Sequence, residues 1–307
     1  MLSVQELSVT FTVYEQGLTQ KQLTPITSLD LEIGTGEVIA VVGSSGSGKS
    51  LLAHAVLGIL PPNATVGGKI VFQGELLTLQ RQTALRGREI ALIPQSVDYL
   101  DPLMPVGLQV TRAAQLSGLS SREAKQAVKQ VFNRYGLDLA VQQLYPFQLS
   151  GGMARRVLVA TAAVGRAVLL IADEPTPGLH PDVVVETLNH LRELASEGKG
   201  VLLITHDIEA ALQVADRVAV FYAGTTVEIA KKKDFANGLL RHPYTLALWR
   251  SLPRNRFVPV PGSQPNPDTL PVGCLFAERC PLATAACYEA RPPLREVRGG
   301  LVRCIHA

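Results

Sequence analysis

Gly43-Ser44-Ser45-Gly46-Ser47-Gly48-Lys49-Ser50 fits G-x-x-x-x-G-K-[ST], the pattern of a phosphate-binding loop. Glycines let successive backbone N–H groups turn inward around an anion. Lys49 has the reach for β- and γ-phosphates, and Ser50 can offer its hydroxyl to Mg²⁺. The flanks suit the motif. Glu37-Val38-Ile39-Ala40-Val41-Val42 is apolar and β-branched, and reads as a buried strand. Lys49 to Leu60 reads as a helix stopped by Pro61-Pro62. Strand, Gly-rich loop and helix put phosphates at a positive helix N-terminus.

The 307 residues are 47% hydrophobic, enough for a sizeable core. A net charge of only +3 argues against nucleic-acid binding driven by bulk charge, so no nucleic-acid partner is expected. No apolar run approaches the ~20 residues that span a bilayer. The N-terminus lacks a basic region followed by an apolar core, so no signal peptide is expected.

Leu2 to Val13 and Ile26 to Ile33 alternate at period two, as strands do. Lys69 to Phe72 and Glu89 to Ile93 are short strand candidates. A helical stretch runs from about Leu108 to Val141. Its clearest helix starts at Ser120, with Glu123 three residues on as a capping box. Ala124, Ala127, Val128, Val131, Phe132 and Tyr135 follow at helical spacing, and Gly136 ends it. Strands are then expected at Val168–Ala172, Val201–Thr205 and Val218–Phe221. Helices are expected at Asp182–Glu197 and Ile208–Ala215. This alternation implies a mostly parallel sheet covered on both faces. Ligands of such sheets sit at the carboxyl ends of the strands. Residues 253 to 271 are Pro-rich and aperiodic, a linker. Lys231-Lys232-Lys233 reads as a solvated face.

The apolar run Leu169-Leu170-Ile171-Ala172 ends in Asp173-Glu174. A phosphate-binding loop needs a partner carboxylate for Mg²⁺, and Asp173 suits that role. Glu174 points elsewhere and suits a base that polarises a water for in-line attack. His206, after the next strand, is placed to meet a γ-phosphate. Gln95, after Leu92-Ile93-Pro94, is a candidate for the metal or the attacking water.

Leu149-Ser150-Gly151-Gly152-Met153 resembles the signature of ATP-binding cassette (ABC) ATPases. Ser150 and the two glycines offer a second anion site before a helix. The motif order (phosphate loop, Gln95, signature, Asp173-Glu174, His206) resembles that family across about residues 1–250. The resemblance implies an α/β P-loop NTPase fold with a mostly parallel core sheet and an N-terminal antiparallel β subdomain. It adds a helical signature subdomain at about 96–160 and a Cys-containing C-terminal extension at 251–307. It implies ATP and Mg²⁺ as ligands, and a signature that completes the phosphate loop of a second ABC ATPase subunit. Phe11 is the choice for the aromatic that stacks on adenine, with Tyr14 its competitor.

Arg241-His242-Pro243-Tyr244-Thr245, Pro253, Pro261-Gly262 and Leu270-Pro271-Val272-Gly273-Cys274 resemble the extension of oligopeptide, dipeptide and nickel importer ATPases. All four cysteines, Cys274, Cys280, Cys287 and Cys304, lie there, spaced C-x5-C-x6-C-x16-C. Four thiols in a reducing compartment point to metal rather than disulfides. Without a CxxC pair, a [4Fe–4S] cluster is preferred to a zinc ribbon, with unligated thiols the alternative. The implied protein is an ATPase subunit of a bacterial importer, peripheral on the cytoplasmic face of the inner membrane. Its partners would be two transmembrane permeases and an extracytoplasmic solute-binding protein. Peptide is the first expected cargo, with nickel or a metal–chelator complex second. A soluble or regulatory ABC ATPase is the rival class.

Three positions depart from the family pattern. His180 stands where Asp is usual, in a loop that crosses the dimer interface. Arg155 stands where Gln is common, and Phe147 where this subfamily often has His. His180 points to two unequal sites, and so to a heterodimer.

Overall fold

A computed structural model describes residues 1–15, 17 and 19–307. The chain begins with β1 (Leu2–Tyr14), β2 (Gln20–Ile33) and β3 (Val38–Gly43), then α1 (Lys49–Leu57), β4 (Ala64–Phe72) and β5 (Glu75–Leu76). Next come α2 (Leu79–Leu85), β6 (Ile90–Ile93), α3 (Val106–Leu116), α4 (Ser121–Arg134) and α5 (Gly151–Ala163). They are followed by β7 (Leu169–Asp173), α6 (Pro181–Ser196), β8 (Gly200–Ile204), α7 (Ile208–Val214), β9 (Arg217–Tyr222) and β10 (Thr225–Lys231). The C-terminal part holds α8 (Lys232–Ala236), α9 (Pro243–Arg250), α10 (Ala285–Glu289), β11 (Arg295–Val297) and β12 (Gly300–Val302).

These elements form two compact units. The first comprises Met1, residues 33–38 and residues 78–205. In it β6, β7 and β8 run parallel, with Ile93 opposite Ala172 and Asp173 opposite Ile204. Every residue of β7 and β8 is buried, as expected of parallel strands covered on both faces. The capping box of α4 forms as the sequence predicts. Ser120 N–H donates to Glu123 Oε2 at 2.7 Å, and Glu123 N–H to Ser120 Oγ at 3.4 Å. Ala124, Val128, Val131, Phe132 and Tyr135 are buried, while Ala127 is only half-buried.

The second unit comprises residues 2–32, 39–77 and 206–307. Its strands lie in the order β5-β4-β1-β2-β10-β9-β3, and the β11–β12 hairpin pairs with β10 through β12. The β1/β4 pair is antiparallel, with a register shift between Gln5 and Ser8, whereas β3/β9 and β2/β10 are parallel. Parallel strands in each unit, with an antiparallel N-terminal layer in the second, match the sequence reading.

Three boundaries differ from that reading by three residues or more, and one of them is β4, which starts at Ala64 rather than Lys69. Strand β2 starts at Gln20 rather than Ile26. Helix α1 stops at Leu57 rather than Leu60, because Gly58 takes a left-handed φ of 63°. Gly58 N–H then bonds Ala55 O, and Ile59 N–H bonds His54 O, closing the last turn before the prolines are reached.

The C-terminal extension is tied down by buried charge. Arg241 NH1 meets Asp234 Oδ2 at 2.9 Å and Glu228 Oε1 at 3.3 Å. Its remaining donors reach Val297 O and Arg298 O, which fixes the β11–β12 hairpin. Arg303, just after β12, pairs with Asp30 on β2 and donates to Ser28 Oγ. Residues 253–271 hold no helix or strand, as the linker reading expects.

Candidate functional site

In the second unit, buried strand β3 delivers Gly43 to the loop opposite Phe221 of β9. Gly48 caps α1 with φ 95°, and a Cβ there would sit 2.8 Å from Ile26 Cγ1. Only glycine satisfies both the backbone and the contact. Lys49 is buried, and its Nζ donates to Gly43 O and Ser44 O, both at 3.0 Å. The ammonium thus folds back across its own loop. Ser47 is fully buried with a hydroxyl that has no partner among the described residues. A loop with a buried cation and an orphaned hydroxyl at a helix start is chemically suited to an anion.

Phe11 lies on β1 opposite Ala64 and is half-buried; Tyr14 is more exposed and accepts a hydrogen bond from Gln20. His206 follows β8 by two residues, and Asp207 caps α7 by accepting from Ala210 N–H.

In the first unit, β6 and β7 place Gln95, Asp173 and Glu174 at the same carboxyl edge of neighbouring parallel strands. Asp173 and Glu174 are both buried. Glu174 adopts φ 46°, a left-handed backbone that costs a non-glycine residue about 1–3 kcal/mol. Its N–H is fixed to Ile204 O at 2.9 Å. That left-handed residue ends the strand immediately after Asp173.

The signature forms the start of α5. Ser150 Oγ accepts from Met153 N–H at 3.2 Å, and Ser150 and Gly151 are exposed, with Gly152 and Met153 half-buried. Leu149 ends a short 3-10 turn from Pro146, and exposed Phe147 stacks on Tyr145 with ring centroids 5.7 Å apart. The sequence marks Arg155 only as a departure from the family pattern. In the structure its buried guanidinium forks onto Pro94 O and Gln95 O, each at 2.7 Å. His180 is exposed at the N-terminus of α6, with Nδ1 3.4 Å from Asp182.

The four cysteines are free and line one small cavity with His306. Cys287 Sγ lies 3.3 Å from His306 Nε2, and His306 N–H is 3.4 Å from Cys304 Sγ. Burial pushes the Cys274, Cys280 and Cys304 thiols up, and neighbouring thiols add to it. The donors are of the soft type that suits thiophilic metal chemistry. Among the described residues no three His, Cys, Asp or Glu side chains are drawn together as a ligand set. Among them, too, no helix is long and apolar enough to cross a membrane.

A family model described as ABC transporter matches residues 26–177. One described as the C-terminal region of oligopeptide/dipeptide transporters matches residues 227–287. The oligopeptide transport ATP-binding protein OppD of Salmonella typhimurium is 35% identical, covering 99% of this chain and 92% of that protein. Escherichia coli OppD matches to the same extent. Among solved structures, the dimeric ATP-binding cassette MJ0796 bound to ADP and Pi aligns with TM-score 0.66 at 24% identity. That alignment covers 76% of this chain and 99% of the other, and speaks for the fold. CbiO1 of Clostridium perfringens, part of the ABC transporter complex cbiONQ, aligns with TM-score 0.62 at 27% identity, covering 80% and 97%.

Proposed function

The chain belongs to the ABC transporter family, in its oligopeptide/dipeptide branch, and from that premise we propose that it is the ATP-hydrolysing subunit of a bacterial importer of oligopeptides or dipeptides. The observation that carries this is one relative, named for oligopeptide transport, matching 99% of the chain. The relatives' names favour peptides over nickel or a metal–chelator complex.

Gly43 to Ser50 hold the phosphates, and Phe11 stacks on adenine. Lys49 leaves its two loop carbonyls for the β- and γ-phosphate oxygens. Ser50, Gln95 and Asp173 supply oxygen donors that suit Mg²⁺, which when bound neutralises charge on those phosphates. Glu174 takes a proton from water as the water oxygen attacks the γ-phosphorus. The bond to the bridging oxygen breaks, and ADP and phosphate form. His206 donates to a γ-phosphate oxygen. Leu149 to Met153 face the nucleotide of a second ABC ATPase chain, and exposed His180 favours a heterodimer of unequal sites. This chain sits peripherally on the cytoplasmic face of the inner membrane, and two permease subunits with an extracytoplasmic solute-binding protein complete the importer. Cys274, Cys280, Cys287 and Cys304 would hold a [4Fe–4S] cluster; the support for this is that four free thiols line one small cavity. Iron and acid-labile sulfide in anaerobically purified protein are the readout, and protein free of both discards the cluster.

The test of function is uptake of a labelled tripeptide into vesicles carrying the chain, its candidate partner and the permeases. Uptake should require ATP, and Glu174→Gln should cut hydrolysis by a hundredfold or more. Vesicles that accumulate Ni²⁺ but no peptide, or unimpaired hydrolysis by Glu174→Gln, would sink the reading.

A further inference from the structure

The linker between α9 and the cysteines touches the phosphate loop. Ser44 Oγ donates to Gln264 Oε1 at 2.8 Å, and Gln264 Nε2 donates to Ser45 O at 3.3 Å. A Cβ on Gly46 would lie 3.2 Å from the same Nε2, so the amide sits against the loop. Four residues on, Asp268 pairs with Lys21 of β2 at 3.3 Å. One short segment therefore contacts both the loop and the N-terminal β layer that carries Phe11.

The segment is itself anchored. Arg279, beside Cys280, donates to Pro261 O at 2.6 Å, Val260 O at 3.1 Å and Tyr222 OH at 3.1 Å. Tyr222 packs on Tyr244 with ring centroids 4.5 Å apart, and Tyr244 hydrogen-bonds Ser44. Ser44 is thus held by the linker and by α9 together.

Peptide geometry gives the contact a consequence. In a trans peptide the C=O and the following N–H point in opposite directions. No cis peptide occurs among the described residues. By holding Ser45 O on the linker side, Gln264 turns the N–H of Gly46 away from the linker. A phosphate cradle needs its N–H groups aimed in common at the anion.

We propose that Gln264 is a positioning residue of the nucleotide site, through which the linker 260–268 presets the phosphate loop and so sets nucleotide affinity. The proposal rests on the reading of residues 43–50 as the phosphate loop. It makes the C-terminal extension part of the nucleotide site of its own chain.

The experiment is titration of the full chain with trinitrophenyl-ATP, with melting temperatures recorded for each variant. Gln264→Ala should raise Kd about fivefold, the share of a net hydrogen bond or two. Gln264→Glu should raise it at least as far, since a carboxylate would face Ser45 O and repel phosphate. Ser44→Ala and Gln264→Ala combined should cost less than the sum of the two, because they delete one contact. Parental Kd in both Gln264 variants, or strictly additive effects of Ser44→Ala and Gln264→Ala, overturns the proposal. Lys49→Ala separates it from its premise. If that variant binds nucleotide like the parent, the phosphate-loop reading falls; if it loses binding while the Gln264 variants keep it, only the proposal does.

Discussion

Arg155 shows how one side chain can matter without touching a reacting atom. Its guanidinium is buried, and burial alone pulls its pKa down. The guanidinium is kept in place by two short bonds, one to Pro94 O in the peptide that leads into Gln95 and one to Gln95 O in the peptide that follows it. The planar guanidinium serves the two carbonyls from two separate nitrogens in a fixed fork, which a lysine ammonium, a single point donor, does not reproduce. Arg155→Lys should therefore keep charge yet lose the geometry, and Arg155→Ala should lose both. Hydrogen bonds from a charged donor are worth about 1.5–3 kcal/mol, so Arg155→Ala should melt measurably lower. Its kcat for ATP should fall about tenfold, since a loosened Gln95 carries a misplaced contact to metal or water. Steady-state hydrolysis at parental kcat by Arg155→Ala would show that the fork is only structural. Glu174 is the contrasting case. Its left-handed backbone was not legible in the sequence, although its identity and its place after an apolar strand were.

The strands and helices were legible where periodicity was strong and one face was apolar. Strands β7, β8 and β9 each fall within a residue of the expected bounds. The α4 cap was readable because Ser120 and Glu123 carry their chemistry in their spacing. The docking of the extension was not. Strands β11 and β12 have three residues each, too few for a period. Nothing in the spacing of Glu228, Asp234 and Arg241 marks them as a buried set, since such residues are seldom fully buried. Yet Glu228 and Arg241 are buried together, and burial pushes the Glu228 carboxyl up against the hydrogen bonds that stabilise its charge. Removing one member of such a pair strands the other, at about 3–5 kcal/mol. Arg241→Ala should therefore lower the denaturation midpoint and expose residues 295–302 to protease; an unchanged midpoint and digest would refute this. His242, capping α9, adds a pH dependence. Burial lowers its pKa to about 3, and its Nδ1 accepts from Tyr244 N–H at 3.0 Å. A depressed folded pKa means the unfolded chain binds the proton first. This group's contribution is complete above about pH 6.5 and declines as pH falls towards 3, by at most about 1.4 kcal/mol per unit. His242→Asn keeps a capping acceptor but cannot titrate. Chemical denaturation at pH 7 and pH 5 should show a smaller loss for His242→Asn than for the parent, and equal losses would discard the assignment.

Assembly follows from where the anion-binding elements end. Ser50 lies at the start of α1 and Ser150 just before α5, where the positive end of the helix dipole favours an anion. Each can serve phosphate, but the family reading gives them different nucleotides: Ser50 its own chain's, Ser150 the partner's. If so, nucleotide is shared between two chains and must tighten their association by mass action. A ligand at a hundred times its Kd contributes about 2.7 kcal/mol, or roughly a hundredfold, per site. Glu174→Gln, expected to bind nucleotide without hydrolysing it, should then show association with its candidate partner tightening with Mg–ATP in sedimentation velocity. The decisive comparison pairs two loop-specific lesions in the complex. Lys49→Ala empties the site on this chain's own loop. Ser150→Arg leaves that loop intact and places a bulky cation where the partner's nucleotide would sit. Photocrosslinking with azido-ATP should therefore label the partner only in the first variant and this chain only in the second. Labelling of the partner undiminished by Ser150→Arg would mean that the signature serves no neighbour, and the two-chain site would have to be abandoned.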